Sequence, residues 1–132
     1  MTKLIFPAVL LCLLMVGCIL LDPDSGPTII KYEVTGTASS VYITMHNESS
    51  SLEELSDISI PWAKELIVKP TRDYTFEDAG CAHFSYLSAK NNGDSGSITA
   101  KIYKNNEEIR TATSSGAGVT AVVEARIDMY CN

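Results

Sequence analysis

The chain has 132 residues, 45% of them hydrophobic, with 10 Lys and Arg against 16 Asp and Glu and a formal net charge of −6. That length suits one domain with a core of its own. The acidic balance excludes nucleic acid as a partner, because a phosphate-binding surface needs clustered cations.

The hydrophobic residues are unevenly spread. Residues 4–21, LIFPAVLLCLLMVGCILL, carry no charge, while the remainder is polar, acidic and rich in Ser and Thr. Lys3 before an apolar run ending in Gly17-Cys18 reads as an export signal over residues 1–17. A small residue before Cys18 is the pattern of a bacterial lipoprotein signal, in which the peptidase cuts before the Cys and its thiol receives the lipid. The alternative is an uncleaved anchor helix. At about 1.5 Å per residue, residues 4–21 reach roughly 27 Å, enough to span a bilayer. Both readings tether the chain to the cell membrane, with everything after residue 22 on the extracytoplasmic side. Acidic surface disfavours anionic head groups, so the N-terminus alone is expected to meet the membrane. Residues 18–28 form a linker whose prolines Pro23 and Pro27 disfavour helix.

From residue 29 the pattern has period two. Ile30, Tyr32 and Val34 alternate with Lys31, Glu33 and Thr35, and Val41, Ile43 and Met45 alternate with Tyr42, Thr44 and His46. Such alternation marks strands buried on one side. Residues 47–57, NESSSLEELSD, break it and read as a polar loop with one helical turn at LEEL. Pro61 implies an edge or a bend before a short strand at 65–69. Residues 70–80 are a second irregular stretch. Strand patterns return at 83–90, 97–104, 107–113 and 118–127, separated by turn signals at Asn91-Asn92-Gly93, Asn105-Asn106 and Ser115-Gly116. About seven short strands over residues 29–132 predict an all-β, immunoglobulin-like antiparallel β-sandwich preceded by the N-terminal signal or anchor helix. No internal repeat is visible.

Cys12 lies in the apolar segment and Cys18 is the candidate lipidation site. Cys81 and Cys131 remain. In an oxidising compartment two leftover thiols are expected to pair, closing a loop worth roughly 4 kcal/mol on a chain-entropy account. Two independent thiols are the alternative.

Gly93-Asp94-Ser95-Gly96-Ser97 shares four residues with the nucleophile loop of chymotrypsin-like proteases. Ser95 needs a general base and a carboxylate at fixed geometry. Only His46 and His83 are available as bases, and the stretch lies between two strand patterns with residues that suit a turn. Gly116-Ala117-Gly118 resembles a dinucleotide fingerprint but opens a β-branched strand rather than a helix. Asp22-Pro23-Asp24 approaches a calcium loop without its closing Glu. Cys81 and His83 share one side of a strand with no second pair for zinc. No catalytic, metal-ligating or cofactor-binding set is assigned, and the chain is expected to bind rather than catalyse. Trp62, the single tryptophan, is a core plug or a ligand platform. Glu53, Glu54 and Asp57 form an acidic rim that is either merely solvated or, with Trp62, a partner-binding surface.

Taken in order, Tyr32-Glu33-Val34-Thr35-Gly36-Thr37-Ala38, Val41-Tyr42-Ile43-Thr44, Ile60-Pro61-Trp62 and Gly96-Ser97-Ile98-Thr99 resemble the small mycobacterial membrane proteins, MmpS, over residues 29–127. The resemblance implies a membrane segment followed by an extracytoplasmic β-sandwich. It also implies an accessory role beside an RND-type transporter that exports lipids or siderophores, and no catalytic residues. The family usually has a Cys in the strand where this chain has Ala100, so Cys81 takes over as the expected partner of Cys131. The other function class is a surface or periplasmic lipoprotein that binds a small apolar ligand or another protein without a transporter.

Overall fold

The computed structural model describes residues 27–68, 71–72 and 80–129. The signal sequence, the lipidation site Cys18, most of the linker and Cys131 lie outside these residues. Among the described residues there are nine strands and no helix: β1 (Ile29–Gly36), β2 (Val41–His46), β3 (Leu52–Ile58), β4 (Trp62–Ile67), β5 (Thr71–Arg72), β6 (Cys81–Asn91), β7 (Ser97–Lys104), β8 (Glu107–Ser115) and β9 (Thr120–Met129). They form two antiparallel sheets. Sheet A has the order β4-β1-β7-β8. In sheet B, β6 lies between β2 and β9, β3 pairs the far side of β2, and β5 pairs the start of β6 on the β2 side.

The inward residues of each strand supply the core between the sheets. Ile30, Tyr32 and Val34 of β1 face Ile43, Met45 and Leu87 of sheet B, all fully buried. Each such aliphatic side chain contributes about 1.5–3 kcal/mol by leaving water. Ala89, Ala100, Ala121 and Ala125 are also inward and buried, and their small size lets the sheets approach closely.

The strand count exceeds the seven expected, and the main correction is β3. LEELSDI was expected to be a loop with a helical turn, because Leu and Glu are good helix formers. The register of β2, however, leaves one edge of β2 with unpaired backbone groups, and β3 takes them from His46↔Leu52 to Val41↔Ile58 with one register shift. Pairing a buried neighbour outweighs a few tenths of a kcal/mol of helix propensity per residue. Pro61 follows a cis peptide bond and precedes β4, which is an edge strand as expected. Asn105 and Asn106 both adopt positive φ (47° and 69°) and make the two-residue turn that a twisted hairpin prefers.

The order of strands has an internal two-fold character. β1 starts in sheet A, the β2–β3 hairpin lies in sheet B, and β4 returns beside β1. β6 starts in sheet B, the β7–β8 hairpin lies in sheet A, and β9 returns beside β6. Exchanging the two halves turns one sheet order into the other. The halves meet at matching crossovers: Thr37 N donates to Ser97 O at 3.0 Å, and Asn92 N donates to Ser40 O at 3.1 Å.

Four of the five links that change sheets, β1–β2, β3–β4, β6–β7 and β8–β9, lie at one end, called distal here, and β4 hands over to β5 at the other. The chain enters β1 and leaves β9 at the opposite, proximal end, together with the 47–51 loop and the β7–β8 turn. At the distal end Asn91 is buried and ties two turns. Its amide donates to Ser95 O at 3.0 Å and Gly116 O at 2.9 Å, and its carbonyl oxygen accepts from Gly93 N at 2.8 Å. Gly36, with φ +134°, packs so closely that a Cβ would overlap the Ser97 carbonyl.

One buried polar contact sits badly. Tyr32 Oη and Ser85 Oγ are buried without a well-formed hydrogen bond. Burial raises the phenol's pKa above its ordinary value, outweighing the neighbouring Ser85 hydroxyl and Tyr86 backbone, which pull it down.

Two stability predictions arise from these contacts. Gly36→Ala should cost on the order of 3 kcal/mol or more, because it combines a left-handed φ with a backbone overlap. Gly118→Ala, with φ +67° but open space around it, should cost only about 1–2 kcal/mol; urea unfolding of the two variants tests the ranking. Tyr32→Phe should cost no more than about 1 kcal/mol at neutral pH, since the hydroxyl gains little in the core. With the folded pKa above the unfolded value of 10.0, the unfolded state deprotonates first. Stability from this group is therefore full below pH 10 and is lost as pH rises further. Unfolding curves at pH 8 and above pH 10 should show a smaller alkaline loss in the Phe variant.

Candidate docking face

The outward residues of the two sheets differ in kind. On sheet A the register brings Lys31 beside Glu65 and Tyr103, and Glu33 beside Lys101. These groups satisfy one another. Lys31 Nζ lies 4.3 Å above the Tyr103 ring, Lys101 Nζ is 3.0 Å from Glu108, and Tyr103 Oη donates to Glu33 at 3.3 Å. The Glu108 hydrogen bond and charge hold Lys101 above its ordinary pKa, and partial desolvation with the Glu33 charge does the same for Tyr103. The same face also exposes two apolar side chains, Ile29 (37%) and Ile67 (64%), paired across β1 and β4 at its proximal corner.

Sheet B is different. Its outward rows run Leu52–His46–Tyr86–Glu124 and Glu54–Thr44–Ser88–Val122, with Phe84 opposite Arg126. Leu52 is 63% exposed, Val122 42% and Phe84 38%. The His46 and Tyr86 rings stand 5.6 Å apart at 45° between them. Aromatic and aliphatic groups surrounded by a few charges are the composition of a protein-binding patch.

Phe84 is held in place by its backbone. β2 pairs β6 from Leu87 to Asn91, and β5 pairs Cys81 and Ala82, so neither covers Phe84. Side chains fill that gap. His46 Nδ1 lies 2.8 Å from Phe84 O, so Nδ1 carries the proton and donates. Phe84 N donates to Ser50 Oγ at 3.4 Å, and the same hydroxyl bonds His83 Nδ1 at 3.3 Å. The 47–51 loop presents Ser50, with φ 60°, because Asn47 Oδ1 accepts from Ser49 N and Ser51 N.

The expected partner-binding residues do not form one site. Trp62 is half-buried and packs against the core opposite Val34, as a plug between the sheets. Glu53, Glu54 and Asp57 lie on strand β3 rather than in a loop. Glu53 pairs with Lys64 of β4 at 3.5 Å, so the two edge strands close one side of the sandwich with charge. Glu54 lies on the outer face of sheet B, where its carboxylate, chiefly by hydrogen bonding, raises the pKa of Tyr42. Asp57 adopts φ 54° near the end of β3.

Cys81 is buried and disulfide-bonded at the start of β6. It sits opposite Met129, two residues before Cys131. The identity of its partner falls outside the described residues. Ser95 is exposed in a distal crossover between the sheets, not in a hairpin. His83 is at the other end of β6, roughly 26 Å from Asn91 at about 3.3 Å per residue, and His46 ends β2 at that same proximal end. No serine-histidine pair forms between these residues.

Phe84 and Tyr86 were missed because they fall on the polar-phase positions of an alternating strand. Two aromatics in that phase of HFSYLSAK were the available signal. The gap-filling role of Ser50 predicts that Ser50→Ala costs about 0.5–1.5 kcal/mol. It should also speed hydrogen exchange at the Phe84 amide while leaving Leu87 and Ala89 protected.

The chain matches no protein-family model and no curated protein.

Proposed function

We propose that this chain is a membrane-tethered extracytoplasmic accessory protein that docks a membrane protein through the outer face of sheet B. The observation that carries this reading is the contrast between the faces. Sheet A neutralises the charges along its centre and exposes Ile29 and Ile67 at one corner, whereas sheet B exposes Leu52, Phe84 and Val122 around the His46–Tyr86 ring pair. Leu52, His46 and Phe84 lie near the proximal end, where the chain enters from residues 1–26. A tether of ten or so linker residues, each reaching at most about 3.3–3.6 Å, holds that half of the face close to whatever shares the membrane.

The resemblance to MmpS supports an RND-type transporter as the partner, with export of a lipid or siderophore as the shared task. In this reading residues 1–17 are the signal, Cys18 carries the lipid, Cys81 pairs with Cys131, and the sandwich is of the immunoglobulin-like class. A stable lipid anchor needs more than one acyl chain, and a lipoprotein-type Cys18 would carry at least two. The protein binds rather than catalyses. In support, the only serine resembling a nucleophile is separated from both histidines by the length of β6.

Photo-crosslinking in native membranes tests the proposal. A photoreactive residue at Phe84 or Leu52 should give an adduct with an integral membrane protein, while one at Thr111 on sheet A should not. Equal labelling from both faces would remove the sheet B assignment. An adduct with a small apolar molecule alone would favour a ligand-binding lipoprotein.

A further inference from the structure

Besides the two-residue β5, the described sandwich has four edge strands, and three are shielded against further pairing. β3 carries a register shift, a positive φ at Asp57 and the charged Glu53 on its inner side. β4 follows Pro61 and carries the inner charge Lys64. β8 carries a register shift against β7. These are the ordinary devices by which an edge avoids another chain.

β9 has none of them. It runs from Thr120 to Met129 without Pro or Gly, and pairs β6 from Lys90 to Cys81 without a register shift. Its inner residues Ala121, Val123, Ala125 and Ile127 are all apolar and buried. Among the described residues β9 pairs with β6 alone.

The direction of its backbone groups is fixed by neighbouring bonds. Phe84 N and O point away from β9, towards Ser50 and His46. Phe84 is opposite Arg126, so this is a pair without mutual hydrogen bonds, and the even-numbered residues of β9 turn their N–H and C=O outward. Thr120 O confirms the direction: it accepts from Ser114 Oγ at 2.9 Å, a residue of β8. Beyond that capped position, Val122 and Glu124 present their backbone groups to the outer edge.

We propose that the outer edge of β9 takes an extended segment of a partner protein, which adds to sheet B as an antiparallel strand. The inner side of that segment must be apolar to continue the row of Val123, Ala125 and Ile127. Its outer side should carry a basic residue opposite Glu124 and another opposite Asp128, complementing an acidic strip in which Arg126 already pairs with Asp128. A second copy of this chain is the other occupant with suitable alternation. Antiparallel pairing of two β9 strands, however, points the two proximal ends in opposite directions. Two copies tethered to one membrane do not meet that way. This exclusion rests on the tethered reading above; the regularity of the edge does not.

The test uses the full chain in lipid nanodiscs and a synthetic peptide, Lys-Val-Glu-Val-Lys-Val-Thr, blocked at both termini. Written antiparallel to residues 128–122, it places Lys opposite Asp128 and Glu124. The expected result is saturable binding with slowed hydrogen exchange at the Val122 and Glu124 amides. The same peptide, N-methylated at the residues facing those two, should bind at least tenfold more weakly. Glu124→Pro removes an outward-facing donor and should reduce binding of the unmodified peptide to the same extent. If that variant fails to fold, the N-methylated peptide still decides. Undiminished binding of the methylated peptide, or protection elsewhere, overturns the proposal. Self-association that protects the same amides without peptide overturns the choice of occupant, and with it the tether geometry. Peptide binding at β9 without crosslinks from Phe84 or Leu52 leaves this inference standing and removes the sheet B docking reading.

Discussion

The contact between the two crossover arches is the constraint on which the other pairings depend. Residues 36–38 and 96–98 pass each other backbone to backbone, with Thr37 N and Ala38 N both bonding Ser97 O. Gly36 and Gly96 permit this approach, since a side chain at either would strike the opposite arch. That meeting fixes where β1 begins to pair with β7. It thereby sets the register that joins one half of the chain to the other across sheet A. The second crossover, through Ser40 and Asn92, sets the β2–β6 register in sheet B. Asn91 then secures the distal end from within, because its side chain bonds two turns that are far apart in sequence.

The same geometry explains the stretches that resemble a known family. The Gly36 and Gly96 segments are the two arches, and Ile60-Pro61-Trp62 leads into an edge strand whose tryptophan packs against the core. These residues serve the fold before they serve any partner. Their likeness therefore bears more strongly on architecture than on a transporter role, because function depends on a site rather than on a fold.

The two sheets differ in what their packing leaves outward. Sheet A balances the charges along its centre by cross-strand neighbours, each pair worth only tenths of a kcal/mol to about one, and leaves Ile29 and Ile67 exposed at its proximal corner. Sheet B leaves apolar side chains outward and ends in β9, a regular edge. Both features adjoin Val122, so a partner that lies on the face and a segment that extends the sheet would share one side of the molecule.

The sequence by itself determined the strands with clean alternation. Ile30, Tyr32 and Val34, and likewise Val41, Ile43 and Met45, are buried because period two on a strand allows only one face inward. It also determined the turn at Asn105-Asn106, where positive φ restricts the residue types. Tertiary structure alone decided the rest. LEELSDI became β3 because β2 had an unpaired edge, a requirement set by a neighbour and not by local propensity. GDSGS became a crossover between sheets because β6 and β7 belong to different layers, which no local pattern encodes. The outward aromatics Phe84 and Tyr86 became a patch only when His46 and Leu52 arrived beside them. Strand order is settled by contacts between residues far apart in the chain, whereas alternation is a local property.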